Sequence, residues 1–503
     1  MLFNSYVFIF VFLPTVLAGY WLVRKYYEKS WAIVFLVVAS FIYYAWWKPQ
    51  YIILLIVSIA VNASLGKVLC DGGLTQKSLR LFVFIAGLVF NLGLLAYFKY
   101  AGFTVSNIDY WFGENFKIPD IILPIGISFI TFQKIAFLVD AYSGKVRSFS
   151  FLNFALFVAF FPQLIAGPIT HHAEVMPQFA SQTVRNRFED FAVGWSIFCV
   201  GLFKKVVVAD GCAVYADAGY NMLHSGQSLD IGTAWIAVLG YSFQLYFDFS
   251  GYSDMAVGLA RLFGIKFPAN FHSPYKSTGI IEFWRRWHIT LSHFLRDYLY
   301  FPLGGNRHGS FRRYLNLAIV MLLGGLWHGA NWTFVVWGGV HGALLMLNHA
   351  WQNLHISKLK IFDSLPARAA FILLTFFVVT LAWIPFRSQG LEDVGRMLGA
   401  LFPVGSDVAS VWDLVRQNAA VHRFSKTEVV LWFIAVGAGT FLLPNSNQLF
   451  ARFDPVLGFS KAQLIHWGSL NSLDWKVASV LAAMFVYSVL QLSRVSPFLY
   501  FQF

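Results

Sequence analysis

One histidine, His328, lies in the least charged part of the chain. It belongs to the segment Gly324–Trp332, inside a run from Tyr314 to Ser357 that contains no Asp, Glu, Lys or Arg. About 44 residues suffice for two bilayer crossings at roughly 20 apolar residues each. An ionisable side chain at that depth is costly without partners and usually faces the bundle interior or a water-filled cavity. His328 is therefore a candidate functional residue, and a hydrogen-bonded core histidine is the alternative.

The polar segment 270–313 precedes this run and is rich in arginine and tryptophan. On one continuous helix, Arg285, His288 and Arg296 would share a face. Arginine guanidinium groups bind phosphate oxygens through paired hydrogen bonds. The spacing predicts that Arg285, Arg286 and Arg296 bind the phosphates of a ligand. The alternative is an amphipathic helix that lies in the membrane interface.

Two carboxylates, Asp248 and Asp254, lie among aromatic residues in or beside an apolar stretch. A buried carboxylate needs a partner. We expect both to form structural salt bridges with Arg285, Arg286 or Arg296, and a direct catalytic role is the less favoured alternative.

Signatures of several soluble enzyme classes are absent from the chain. It has no G-x-S-x-G, P-loop, dinucleotide-binding or H-E-x-x-H motif, and no long soluble basic segment for nucleic acid. Cys70, Cys199 and Cys212 form no CxxC pair, so they are interpreted as core residues and no metal site is predicted. His341 and His349 are expected to be structural or pore-lining.

The composition is that of a polytopic membrane protein in a single domain, 1–503. Of 503 residues, 58% are hydrophobic and 12% charged, against about 25% charged in a soluble domain. The net charge is +13. One interpretation of this positive charge is the cytoplasmic excess of Lys and Arg that orients membrane proteins. A more specific interpretation is that part of the charge attracts an anionic substrate.

Apolar stretches recur from Val7–Val23 to Val477–Leu492. They predict an all-α protein with about 11 to 13 spanning helices, plus shorter re-entrant and interfacial ones. Arg24 follows the first stretch, which predicts a retained helix with its N-terminus outside. The segments 387–426 and 445–475 are predicted to be extramembrane loops with short amphipathic helices.

Proline and glycine interrupt two of these stretches, at Pro124 and Gly126 and again at Pro162, Gly167 and Pro168. Broken helices at membrane depth are tolerated where they line a cavity. The breaks predict such a cavity, with ordinary kinks as the alternative.

Four motifs together resemble the membrane-bound O-acyltransferase family, in its bacterial branch of alginate O-acetyltransferase proteins. In chain order they are Leu123–Phe129, Gln244–Asp254, Glu282–Tyr300 and Gly324–Asn331. The similarity extends from the first helix to about residue 390. The segments 132–140 and 162–172 differ in detail from the alginate proteins, which leaves the glycan open.

The resemblance implies a ring of helices around a central funnel. It places the central catalytic histidine at His328 and a second polar site residue at His288. His328 would act as general base or, less favoured, as a transient acyl carrier. Trp327 and Asn331 would shape the pocket around the donor and polarise its carbonyl.

The resemblance further implies transfer of an acetyl group from cytosolic acetyl-CoA to an exported polysaccharide, alginate or another exopolysaccharide. A periplasmic SGNH-type acetyltransferase would be the partner, and the bacterial inner membrane the location. The alternatives within the enzyme class are peptidoglycan O-acetylation and D-alanyl transfer to teichoic acid. Outside that class, a solute transporter also uses broken helices around a central site.

Overall fold

The computed structural model describes residues 1–70, 76–113, 116, 121–180, 187–354, 359–402, 426–494 and 498–499. Over these ranges the chain is helical and forms no β-strand, although Pro268 and Leu457 form one isolated bridge. The expected all-α class is confirmed.

The helices of the first half follow the apolar stretches of the sequence. They are α1 (Leu13–Tyr26), α2 (Lys29–Ala45), α3 (Tyr51–Cys70), α4 (Lys77–Leu95), α5 (Ala101–Phe112), α6 (Ile127–Tyr142), α7 (Phe151–Ala159), α8 (His172–Ala180), α9 (Arg187–Phe203), α10 (Asp210–His224) and α11 (Ile231–Leu262).

The second half continues with shorter elements before two long helices. They are α12 (Ile280–Arg286), α13 (Ile289–Leu295), α14 (Gly309–His328), α15 (Trp332–Asn353), α16 (Leu365–Arg387), α17 (Leu391–Leu401), α18 (Lys426–Leu442), α19 (Ser446–Leu449), α20 (Lys461–Leu464) and α21 (Trp475–Gln491).

Within the described ranges, four π-turns interrupt or extend these helices, at Phe8–Phe12, Ala96–Tyr100, Lys204–Ala209 and Arg296–Tyr300. A π-turn adds one residue to a helical turn and often lies at a functional site. Each of the last three carries a polar side chain that makes an interior contact described below.

Five helical segments in the described residues are both long enough and apolar enough to cross a membrane: Phe8–Tyr26, Tyr51–Cys70, Lys77–Phe112, Phe188–His224 and Leu365–Arg387. Shorter apolar helices cover Lys29–Ala45, Thr427–Leu442 and Trp475–Gln491. The protein is thus a multi-pass membrane protein. The larger count of 11 to 13 crossings stays a prediction.

The two sequence breaks are real and pack against each other. α6 begins after Gly126, and residues 160–171 between α7 and α8 are non-helical and almost entirely buried. Gly126 has φ +72°, and a Cβ on it would lie 2.6 Å from the carbonyl oxygen of Leu164. Only glycine permits this conformation and this approach at low cost.

The partners expected for Asp248 and Asp254 were wrong. Lys205, with 1% of its side chain exposed, lies 2.7 Å from both Asp248 and Asp210. Lys204 lies 2.7 Å from Asp254. The π-turn after α9 places these two lysines against α11, so the carboxylates are neutralised inside the bundle.

The single helix expected across Arg285, His288 and Arg296 was also wrong. α12 ends at Arg286 and α13 begins at Ile289, because His288 has a left-handed φ of +42°. The break places the His288 side chain in the interior. Arg285 and Arg286 lie on α12, whereas Arg296 lies on the π-turn after α13.

The two segments predicted to be extramembrane loops have different structures. In the first, α17 follows the end of α16, and residues 403–425 lie outside the described residues. In the second, short helices lie against the bundle, with Phe450, Ala451 and Val456 buried. Cys199 and Cys212 are buried as expected, and Cys70 is half-buried.

Candidate active site

His328 is the last residue of α14 and is 5% exposed. The helix ends there because Gly329 is extended, with φ −160°, and the chain turns into α15 at Asn331. The His328 imidazole is surrounded by the rings of Trp327, Trp337 and Phe386, with centroids 4.9, 5.1 and 5.2 Å away.

A lysine from another helix binds the end of α14. Lys99 Nζ donates to the carbonyl oxygens of Trp327 and His328, at 2.6 and 2.9 Å, and lies 3.5 Å from Ser128 Oγ. The neighbouring Tyr100 hydroxyl donates to the carbonyl oxygen of Leu326 at 2.9 Å. The last carbonyls of a helix lack intrahelical partners and attract cations. Lys99 therefore fixes the backbone that carries His328.

His288 is fully buried and has a defined hydrogen-bond partner. Its Nδ1 lies 3.0 Å from Asn270 Oδ1, which also accepts from the Thr290 hydroxyl at 3.0 Å. Asn270 Nδ2 donates to Ser253 Oγ at 3.1 Å. Because Oδ1 only accepts, His288 Nδ1 carries the proton, and in the neutral ring Nε2 keeps its lone pair.

Trp327 connects the two histidines. Its ring centroid lies 4.9 Å from that of His328 and 6.4 Å from that of His288. Phe129 of α6 packs against Trp327 and His288 at 5.4 and 6.3 Å. The break before α6 thus contributes directly to the wall of this site.

A cavity of 610 Å³ reaches this site from one face of the protein. Its inner end is lined by Trp327, His328 and Lys99. Its outer part is lined by the chain N-terminus, the end of α2 and the segment before α6. We call it the His328 cavity. The face of the protein on which it opens is called the Trp46 face, after the exposed residue Trp46. The opposite face, where α1 ends, is the Arg24 face.

Stacked aromatic rings continue from Trp327 toward the Arg24 face. Phe132 stacks on Trp327 at 4.9 Å and on Phe294 at 4.0 Å, and Phe294 packs on Tyr298 at 5.0 Å. These rings separate the His328 cavity from a polar cluster at the end of α6. There the Tyr298 hydroxyl donates to Asp140 Oδ2 at 2.9 Å and lies 3.1 Å from His171 Nδ1.

None of the three predicted phosphate-binding arginines lines the His328 cavity. Arg285 is exposed on α12. Arg286 pairs with Glu282 at 2.5 Å, and Arg296 binds Asp297 through two hydrogen bonds of 2.7 and 3.0 Å.

These ion pairs affect the protonation of the residues that form them. Hydrogen bonding to Asp297 raises the pKa of Arg296 above its ordinary value. Burial acts to raise the pKa of Glu282, but hydrogen bonds from Thr278 and the charge of Arg286 outweigh it and hold this pKa below its ordinary value. Glu282 and Arg296 are therefore both charged near neutral pH.

Asn331 lies at the start of α15. Its side chain accepts from the Thr333 N–H at 3.0 Å and so caps the N-terminus of α15, and its Nδ2 donates to the carbonyl of Gln389. It is not among the residues that line the His328 cavity. His341 lies behind Trp337, and its Nδ1 accepts from Trp284 Nε1 at 3.3 Å. In the described residues, no group of three or more His, Cys, Asp or Glu has metal-site geometry.

The sequence contained signals for the residues that were missed. Lys99 is an isolated charge in the aromatic segment 97–100, next to a long apolar stretch. Asn270 is the first residue of the polar segment 270–313. Neither signal names a partner: Lys99 and His328 are 229 residues apart in the chain, and Asn270 and His288, 18 residues apart, meet only because the chain turns at His288.

Comparison with known proteins identifies the class. The model of the MBOAT, membrane-bound O-acyltransferase family, matches residues 131–360. Relatives of 39% identity align with the whole chain, including the parts outside residues 131–360. The chain therefore belongs to this family.

The full-length relatives act in acetyl transfer. The chain is 39% identical over its whole length to the peptidoglycan O-acetyltransferase of Helicobacter pylori, covering 98% of that protein. It is also 39% identical over its whole length to the probable alginate O-acetylase of Pseudomonas putida, covering all of it. The teichoic acid D-alanyltransferase of Streptococcus thermophilus is 31% identical over 45% of this chain. The chain is an O-acetyltransferase, which removes the transporter alternative.

Proposed function

We propose that the protein moves an acetyl group from cytosolic acetyl-CoA across the bacterial inner membrane to a hydroxyl acceptor outside. The Arg24 face would be cytoplasmic, since Arg24, Lys25 and Lys29 lie at the end of α1 and the start of α2. The acceptor would then enter by the His328 cavity. This cavity, open to the Trp46 face and ending at His328, is the observation that carries the proposal.

In the proposed reaction, His328 acts as a general base. Its neutral imidazole takes the proton of the acceptor hydroxyl while the hydroxyl oxygen attacks the thioester carbonyl carbon. The C–S bond then breaks, and the thiolate of CoA receives the proton from His328. Base catalysis of this kind contributes typically 10²- to 10⁴-fold. Trp327 and Phe386 pack on the His328 ring and limit its rotation.

His288 would support the site as a second polar group. Asn270 fixes its proton on Nδ1, so that Nε2 carries the acceptor lone pair of the neutral ring. Its contact with Trp327 keeps it close to the reacting group.

Loss of His328 is the direct test of this role. His328→Ala should lower acetyl esters on the cell's exported glycan by at least 100-fold, with the protein still present in the membrane. His349→Ala is the matched control, because His349 lies on α15 outside the His328 cavity. Unchanged acetylation in a well-expressed His328→Ala strain would contradict the assignment.

The donor would bind on the Arg24 face with its phosphates near Arg285, Arg286 and Arg296. Of these, Arg285 has no ion pair in the described residues, so it is the one most available to a phosphate. Arg285→Ala should raise the KM for acetyl-CoA about tenfold and leave the protein yield unchanged. Equal losses of yield and activity would indicate a structural role.

The final acceptor is proposed to be an exported polysaccharide, with an SGNH-type periplasmic protein completing the transfer from the hydroxyl that is acetylated in the His328 cavity. The alginate-acetylating relatives support this choice, and the Helicobacter pylori relative makes peptidoglycan the second candidate. Deleting the gene and measuring ester-linked acetate separately on secreted polysaccharide and on purified peptidoglycan distinguishes them. Loss from the secreted fraction alone supports the first, and loss from peptidoglycan alone contradicts it.

A further inference from the structure

A buried hydrogen-bond network joins His288 to the non-helical segment between α7 and α8. Asn270, Thr290 and Ser253 belong to it, with 2, 3 and 4% of their surfaces exposed. Ile169, in the non-helical segment, provides a backbone N–H to the network. These residues come from separate parts of the chain, so the network exists only in the folded protein.

Two backbone N–H groups determine the direction of the hydrogen bonds in this network. The Ile169 N–H donates to Thr290 Oγ at 3.0 Å, so the Thr290 hydroxyl hydrogen is directed to its other partner, Asn270 Oδ1, at 3.0 Å. The Thr290 N–H also donates to Asn270 Oδ1, at 3.4 Å. Because a backbone N–H only donates, the amide atom of Asn270 that faces Thr290 is the oxygen. The amide nitrogen then donates to Ser253 Oγ at 3.1 Å.

The orientation of the Asn270 amide decides which ring nitrogen of His288 carries the proton. Nδ1 of His288 lies 3.0 Å from the same amide oxygen, which only accepts, so Nδ1 is protonated. With the amide reversed, its NH₂ group would face Nδ1 and the proton of the neutral ring would move to Nε2. Thr290 therefore acts on His288 through Asn270.

The break between α7 and α8 makes this arrangement possible. In a continuous helix, the Ile169 N–H would bond to the carbonyl oxygen four residues earlier. Residues 160–171 are non-helical, so this buried N–H needs another acceptor, and the Thr290 hydroxyl supplies it. The backbone of the non-helical segment is thus connected to the protonation of His288.

A neutral His288 also maintains the basicity of His328. The ring centroid of Trp327 lies 6.4 Å from that of His288 and 4.9 Å from that of His328. A positive charge on His288 would disfavour proton uptake by His328. Phe249 and Phe129 pack on the His288 ring at 4.7 and 6.3 Å. The amide oxygen of Asn270, unlike a carboxylate, brings no full negative charge that would favour the imidazolium.

We propose that Asn270 and Thr290 are positioning residues that hold His288 neutral, with its proton on Nδ1, throughout acetyl transfer. Both act on the reaction through His288. The inference rests on the proposed role of His328 as the general base. It adds the requirement that the second histidine of the site stays uncharged while His328 takes up and returns a proton.

The protonation of His288 is measured directly by solid-state NMR of the purified full chain labelled with ¹⁵N-histidine. Signals that are absent from His288→Gln identify His288, and they should report a neutral ring with the proton on Nδ1 between about pH 5 and pH 8. Asn270→Asp replaces the amide by a carboxylate of nearly the same shape, which should convert the ring to the imidazolium. A charged ring or the opposite tautomer in the unchanged protein would overturn the proposal, whether or not acetyl-CoA is the donor.

The role of Thr290 is tested by removing its hydroxyl at nearly constant volume. Thr290→Val should lower kcat about tenfold with the KM for the donor unchanged, and Thr290→Ser should retain most of kcat. Thr131→Val is the matched control, because Thr131 on α6 is fully buried and its hydroxyl has no hydrogen-bond partner among the described residues. Thermal melting checks that each variant is folded. Equal losses of kcat in Thr290→Val and Thr131→Val would overturn the role of Thr290.

The pH dependence of Asn270→Asp separates control of the His288 proton from a structural role. If the reaction needs a neutral His288, the pH below which kcat/KM falls should move upward by about one unit or more in Asn270→Asp, because the carboxylate favours the charged ring. A purely structural defect would lower kcat/KM by the same factor at every pH. An acid limb at its original pH would overturn the proposal.

Discussion

At the scale of single residues, the site depends on how His328 is held. Its ring lies among Trp327, Trp337 and Phe386, and its own carbonyl accepts from Lys99 at 2.9 Å. A displacement of about 1 Å in a reacting group can cost 10²-fold in rate. The contact from Lys99 is therefore as relevant to catalysis as the aromatic neighbours.

The first prediction concerns Lys99. Lys99→Met removes the ammonium group that binds the end of α14, so kcat should fall about 10- to 100-fold while the KM for the donor changes little. Lys99→Arg keeps the positive charge and should restore part of kcat. Steady-state kinetics of both variants measure kcat and KM, and thermal melting checks that each variant is folded. An unchanged kcat in Lys99→Met would show that this contact does not position His328.

At the scale of elements, α14 and α15 form an antiparallel pair with His328 at the turn. A Cβ on Gly338 would lie 2.3 Å from the carbonyl oxygen of Met321, and one on Gly325 would lie 2.2 Å from that of Phe334. Backbone atoms cannot move aside as a side chain can. The two glycines therefore set the distance between the helices, and with it the positions of Trp327 and Trp337.

The second prediction compares two adjacent glycines of α15. Gly338→Ala should force the helices apart and lower the stability of the protein by about 1–3 kcal/mol, as overpacking does. Gly339→Ala is the matched control, since its Cβ would meet only Leu322 Cδ2 at 3.7 Å, an ordinary contact. Thermal melting in detergent and acetyl transfer should both be reduced in Gly338→Ala alone. Equal effects from the two substitutions would contradict this account.

The third prediction concerns the buried ion pairs between the π-turn after α9 and α11. Lys205→Met leaves Asp248 and Asp210 without their shared cation, and breaking a buried pair costs about 3–5 kcal/mol. The protein yield in membranes should fall strongly. Lys145→Met removes a pair whose lysine is mostly exposed and should have little effect. Quantitative immunoblotting of membranes compares them, and normal yield of Lys205→Met would contradict the prediction.

At the scale of the whole molecule, the two faces differ in charge and in what opens onto them. The His328 cavity opens on the Trp46 face, whereas Arg24, Lys29, Lys266 and Arg261 lie on the other. Transfer across the membrane requires that donor and acceptor approach from opposite faces. The orientation of the protein therefore decides whether the proposed reaction is possible.

The fourth prediction concerns that orientation. In a Cys70→Ala background, Gln50→Cys should react with an impermeant thiol reagent added outside spheroplasts, whereas Lys25→Cys should react only after permeabilisation. Both positions are exposed, so access to water does not separate them. Cys199 and Cys212 are buried and give little background. The reverse labelling pattern would contradict the proposed direction of transfer.

Much of this protein could be predicted from its sequence, because the relevant signals are local. Hydropathy over about 20 residues identifies candidate spans whatever lies beside them. Proline removes a backbone donor and glycine permits conformations that other residues avoid, so the breaks near Gly126 and at 162–168 were predictable. The low charge around His328 and the family motifs together made it the leading candidate.

The tertiary structure decided which side chains meet. Lys99 and His328 are separated by 229 residues, and Lys204 and Asp254 by 50, so only packing brings each pair together. The prediction of a single helix through His288 was wrong because His288 has a left-handed backbone conformation and its side chain contacts Asn270 in the interior. Helical periodicity carries no information about such a break. Local sequence sets the elements, but hydrogen bonds and ion pairs depend on distances that exist only after the chain has folded.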